Sequence, residues 1–276
     1  MSDDRSRTPL ASFAAKWSEA YPEFGLALRF DRGPAREAHA AFACLVFELE
    51  HAAFGIREAQ PAAIKLQWWA EELARVSRGE ARHPLTLALA DRIRDAAAPA
   101  ADWHEAIAGA WAQRDPLPAP DRAALLDGYA RLYAPLARIE SALFGAQAGA
   151  LAGSMTQMRA LREVAALPDA LRDGKLPLPL DLLARHRLAR SNLAEPSVAR
   201  GEAASEFLIG LAEELLDADA HRRIGTLRAV LAAANGERAR RAARAANPIS
   251  AIRAALARLS IGDVWRAWAA ARRSRT

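Results

Sequence analysis

Phe42-Ala43-Cys44-Leu45-Val46-Phe47-Glu48-Leu49-Glu50-His51 is an apolar run that takes on two carboxylates only near its end. It belongs to a helix expected over residues 34–54. The same signature extends in both directions, as alanine-rich segments with apolar residues three and four apart and no sustained alternation of β-branched residues. The chain therefore reads as all-α. Thr8-Pro9 has the cap-then-proline order of a helix start, opening a helix to about Ala20. Further helices are expected over 61–78, 84–97, 101–113, 121–144, 147–167, 196–219, 221–234, 236–245, 249–258 and 261–272. Asp115-Pro116-Leu117-Pro118-Ala119-Pro120 cannot continue a helix, because its prolines lack donors and fix φ. Pro168 to Pro179, with Gly174, makes a second break. Neither shifts composition enough to divide the chain, so residues 1–276 read as one domain with 1–8 as a flexible lead.

At 276 residues and 52% hydrophobic content, the chain can bury a large core. Its single cysteine, Cys44, excludes an internal disulfide and a thiolate metal cluster, and is consistent with a reducing compartment. There is no apolar run long enough to span a bilayer, and Met1-Ser2-Asp3-Asp4-Arg5 lacks the apolar core of a signal peptide, so the expected location is cytoplasmic. The net charge of +5 comes almost wholly from arginine, since Lys16, Lys65 and Lys175 are the only lysines. That balance suits an acidic partner, an anionic ligand or an anionic membrane face without choosing among them.

After the opening run come Lys65-Leu66-Gln67-Trp68-Trp69-Ala70-Glu71-Glu72 and then His83-Pro84; later come Leu161-Arg162-Glu163-Val164 and Gly174-Lys175-Leu176-Pro177-Leu178-Pro179. In order and spacing these segments resemble the squalene/phytoene synthases, over most of the chain from about Phe13. The resemblance implies an isoprenoid-synthase helical bundle around a central cavity. It also implies prenyl-diphosphate chemistry, in which magnesium neutralises a departing diphosphate and is itself held by carboxylates that face one another. Paired aspartates four residues apart do this from one helix face. Here Glu48 takes the leading position of the first pair and Ala52 the partner position, while Glu163 and Leu167 stand in the second pair. Glu50 lies roughly 200 degrees around the helix from Glu48 and is expected on the opposite side. The family's asparagine corresponds to Arg159, and the tyrosine of its Tyr-Leu-Pro turn to Pro177. The pattern is similar to the degenerate branch that includes the mitochondrial complex I assembly factor.

From this follow the expectations for the site. Glu48 and Glu163 are remnants of catalytic positions, and no metal ligand set is expected. Lys65, Arg159, Arg162 and Trp68 are the candidate ligand-binding residues, with Arg162 free either to meet a phosphate or to pair with Glu48 or Glu163. Trp68 and Trp69 project about 100 degrees apart, so at most one faces a cavity. His83-Pro84 reads as a helix start, the six histidines lack zinc spacing, and Asp91/Asp95 and Glu213 to Asp219 read as solvated faces. The C-terminal stretch from Arg253 through Trp265 and Trp268 to Arg275 reads equally as an interfacial helix touching anionic lipid or as a terminal helix docked on the bundle. The resemblance thus implies a non-catalytic assembly or binding factor with no cofactor. The alternative is an active head-to-head prenyltransferase using Mg2+, and a third reading is a carrier of an isoprenoid or phosphate-bearing ligand. An unidentified protein partner fits the first reading, and nothing resembles a nucleic-acid module.

Overall fold

The computed structural model describes residues 8–96 and 98–274, so all but Thr8 of the expected flexible lead lies outside the described residues. The helices run α1 (Pro9–Ala20), α2 (Pro22–Phe30), α3 (Arg36–Glu50), α4 (Ala59–Val76), α5 (Pro84–Leu87), α6 (Ala90–Asp95), α7 (Ala100–Ala112) and α8 (Arg122–Phe144). They continue as α9 (Ala148–Ala165), α10 (Leu167–Arg172), α11 (Leu180–Arg185), α12 (Val198–Leu215), α13 (Ala218–Arg223), α14 (Gly225–Ala243), α15 (Pro248–Leu256) and α16 (Ile261–Arg273). Among the described residues there is no strand, and one continuous core joins the elements.

Two helices are enclosed on almost every side. α3 buries each residue from Ala40 to Glu50, and α14 buries each residue from Leu227 to Ala239. Alanine makes this enclosure workable in α14, because a thin helix lets α2, α9, α12, α15 and α16 approach it at once. The same logic governs the glycines at the tightest crossings. A Cβ on Gly109 of α7 would lie 2.1 Å from the Arg131 carbonyl oxygen of α8, and one on Gly236 of α14 would lie 2.8 Å from Leu216.

Several expected boundaries move, each for a local reason. Residues 22–30, outside the expected helices, form α2: Tyr21 ends α1 with an extended φ of -131°, and Pro22 starts the next helix at once. Asn235, left between the helices expected over 221–234 and 236–245, lies inside one continuous helix, and Gly236 beside it lets α12 pack closely there. The expected helix 84–97 is interrupted between α5 and α6, and the break at 168–179 holds α10, which opens with Pro168 in its first turn. The helix expected to reach residue 54 leaves α geometry at Glu50 and finishes as a π-helical turn, His51–Gly55. Arg114 caps that turn by donating to the carbonyls of Ile56 at 2.6 Å and Ala53 at 3.2 Å.

Candidate functional site: a cavity wall of paired charges

Glu48, on the last turn of α3, is 4% exposed and has both oxygens occupied. Oε1 accepts from the Nζ of Lys16 on α1 and from Trp17 Nε1 at 3.1 Å, and Oε2 accepts from Lys65 Nζ on α4 at 2.8 Å. Burial opposes its ionisation, but the hydrogen bonds and charges of the two lysines outweigh that cost and hold the carboxyl below the ordinary range. Ala52, one turn on, is fully buried in the π-helical turn and brings no ligand.

Glu50 does diverge from Glu48, but the opposite side of α3 is also interior because the helix is enclosed. Its Oε1 accepts from the Tyr133 hydroxyl at 2.8 Å, and its Oε2 from Arg162 Nη1 at 3.3 Å. Arg162 on α9 also donates to Glu23 Oε1 on α2 at 3.1 Å, and its guanidinium lies 3.8 Å from the Tyr21 ring centroid. The partners of Arg162 are therefore Glu50 and Glu23, correcting the expectation of Glu48 or Glu163. Arg238 of α14, fully buried, donates to Glu23 Oε2 at 2.9 Å and to the Arg258 carbonyl at 3.0 Å, and lies 3.5 Å from Asp263 of α16. One string of charge thus runs Glu50, Arg162, Glu23, Arg238, Asp263 and ties α3, α9, α2, α14 and α16 together. Desolvation raises the Glu23 pKa, and the two guanidinia overcome it, so the net shift is downward.

Glu163 is 9% exposed and pairs along its own helix with Arg159, whose guanidinium also sits 4.2 Å from the Phe54 ring centroid. Residue 167, a full turn beyond Glu163, is a fully buried leucine. Lys175 is a further cation on this side, close enough to Arg114 and Arg159 to feel their charge. It is half-buried, forms no ion pair among the described residues, and lines a cavity of about 60 Å³ with Phe54, Tyr129 and Glu163. Burial lowers its pKa, and Glu163 opposes that shift only in part. At about 10–15 Å³ for each water, the cavity has room for a few solvent molecules.

Trp68 is 40% exposed on the outer side of α4, edge-on to Trp69 and His83, so it does not line the cavity; Trp69 is buried. His83 caps α5, its Nδ1 accepting from Leu85 N at 3.2 Å, and Glu72 fixes the turn by accepting from the backbone N–H groups of Arg82 and His83, each at 2.8 Å. Burial and a neighbouring Glu48 push the Cys44 thiol up to about 12, with Lys16 opposing, so it is not a nucleophile at neutral pH. Among the described residues no three His, Cys, Asp or Glu side chains converge in a metal-binding arrangement. The carboxylates that a magnesium ion would need are each engaged by a protein cation, and the donor set does not fit that ion.

Sequence reasoning brought out Glu48, Lys65, Arg159, Arg162 and Glu163, and the structure distributes them over three clusters. It missed Glu23 and Arg238, which lie in the unrecognised α2 and just past the gap expected at residue 235. The signal available for Glu23 was Pro22, a helix start directly after a helix end.

An all-α bundle around a charge-lined interior is the architecture of the isoprenoid-synthase class of fold. The squalene/phytoene synthase family model matches residues 18–260, and the chain belongs to that family. Two solved structures are similar over their length. A dehydrosqualene synthase solved in complex with a ligand has a TM-score of 0.70 at 11% identity, covering 97% of this chain and 95% of that one. The squalene synthase HpnC from Alicyclobacillus acidocaldarius has a TM-score of 0.63 at 14% identity, with 97% and 95% covered. No curated protein matches the chain. Among the described residues no helix is long and apolar enough to cross a membrane.

Proposed function

We propose that this chain is a non-catalytic member of the squalene/phytoene synthase family, a binding or assembly factor in which protein cations occupy the carboxylates that catalysis would give to magnesium. The observation that carries this reading is the state of Glu48 and Glu163. Each lacks a carboxylate one turn on, at Ala52 and Leu167, and each is engaged by a cation of this chain. Ionising an allylic diphosphate requires several oxygen ligands gathered on divalent ions. A lone glutamate already bonded to two lysines supplies neither the number nor the free lone pairs.

A retained ligand-binding role is favoured by Lys175. A half-buried ammonium that forms no ion pair among the described residues lowers its desolvation cost by taking an anion, which suits a phosphate-bearing ligand at the cavity mouth. Lys65, Arg159 and Arg162 would join it only by leaving their present partners. The alternative is an active head-to-head prenyltransferase. Purified protein incubated with farnesyl or geranylgeranyl diphosphate and magnesium is expected to release pyrophosphate no faster than a protein-free control. Magnesium-dependent release that vanishes in a Glu48→Ala, Glu163→Ala variant would reverse the choice.

A further inference from the structure

α16 is mounted with its small residues inward. Asp263, Ala267, Ala270 and Ala271 are buried against the bundle, whereas Ile261, Val264, Trp265 and Trp268 are 83%, 46%, 68% and 48% exposed. Positions 261, 264, 265 and 268 form one helical stripe, and Leu259, 44% exposed, extends it at the helix start. A terminal helix that served only to close the core would turn its tryptophans the other way. The orientation is held firmly: Asp263 completes a capping box with Ser260 and pairs with Arg241 at 3.2 Å and with the buried Arg238. Rolling the helix to bury its tryptophans would strand Asp263 away from both arginines.

The surroundings of the stripe are cationic. Arg258 and Arg272 are exposed at its two ends, and Arg272 lies 5.3 Å from the Trp268 ring centroid. From Pro248 to Arg273 the one acidic residue is Asp263, which is 1% exposed and neutralised. Tryptophans flanked by arginines, with no exposed acid in their own segment and the Asp219 of the adjoining α13 paired with Arg222, match a lipid interface: the indoles sit at headgroup depth while the guanidinia meet phosphates. A second copy of this chain is a poor occupant, because a symmetric contact would set arginines against arginines.

We propose that α16 lays its Ile261–Val264–Trp265–Trp268 face on an anionic bilayer surface and docks the bundle there. The test is co-sedimentation of the full chain with phosphatidylcholine vesicles, with and without phosphatidylglycerol, while tryptophan emission is recorded. The expected result is binding to the anionic vesicles with a blue shift, weakened by added salt. A Trp265→Ser, Trp268→Ser variant should bind at least about ten-fold more weakly. Arg258→Glu with Arg272→Glu should abolish the preference for anionic lipid. All these positions are solvent-facing, so circular dichroism and thermal unfolding should be unchanged and separate lost docking from lost folding. Absence of vesicle binding by the wild-type chain, or equal binding by the tryptophan variant, overturns the proposal. So does a dimer in analytical ultracentrifugation that the tryptophan variant dissociates.

Discussion

Replacing Arg162 with methionine is expected to lower the free energy of unfolding by about 3–5 kcal/mol, the usual result of leaving buried charge without its partner. Arg162 donates to Glu50 at 3.3 Å and to Glu23 at 3.1 Å, and both carboxylates are nearly inaccessible. Methionine keeps much of the volume against Tyr21 and Phe47, so the loss reports charge more than packing. Urea unfolding followed by circular dichroism measures it. Since small-domain stabilities are about 5–15 kcal/mol, the variant should remain folded but with a much lower midpoint. Adding Glu50→Gln should recover part of the loss, because one of the stranded charges is then removed. A change below about 1 kcal/mol in the single variant would mean that the carboxylates are satisfied without Arg162.

Acid should weaken the fold in two stages, and Glu23 of the same network contributes to the second. Burial lowers the pKa of His83 and His221 in the fold, so below about pH 6.5 the unfolded chain takes up protons that the folded one refuses, and stability begins to fall. Glu23, Glu48 and Glu72 also have lowered pKa values, because their hydrogen-bonded and cationic partners outweigh desolvation. Their contribution is complete above the unfolded glutamate value of about 4.3 and is lost as pH falls through their folded values. The urea midpoint measured from pH 7 to pH 3 should therefore drop gently at first and steeply below about pH 4.3. The Arg162→Met variant should show a shallower acid limb, since Glu23 has lost one of the two guanidinia that depress it. Parallel limbs in the two proteins would show that Glu23 does not titrate through this pair.

The fold was legible because it rests on spaced, ordered features: the enclosed apolar run of α3, the Trp68-Trp69 helix, the His83-Pro84 turn and the prolines that open α10 and α11. Glu48 and Glu163 were legible as lone acids for the same reason, since helical spacing makes the alanine and leucine one turn on as informative as aspartates. The partners of the acids were not. Glu23 and Arg238 lie 215 residues apart, and nothing local in either segment marks them as a pair. α2 is only nine residues long, too short for periodicity to announce it. Rotation around α3 correctly separated Glu48 from Glu50, yet rotation alone cannot say that both sides of a helix are interior. That depends on Lys16 of α1 and Lys65 of α4 reaching Glu48 on one side, and Tyr133 of α8 and Arg162 of α9 reaching Glu50 on the other. Likewise the gap expected at Asn235 closes once Leu215 and Leu216 are seen packed against Gly236.

Protein cations in place of metal is the idea most directly open to test, by titrating Mn2+, a spectroscopically visible substitute for Mg2+, into the purified chain and following the free-ion signal by electron paramagnetic resonance. The expected result is no saturable site, because Lys16, Lys65, Arg159 and Arg162 already hold the carboxylates that would form one. A stoichiometric site that disappears in a Glu48→Gln, Glu163→Gln variant would contradict it.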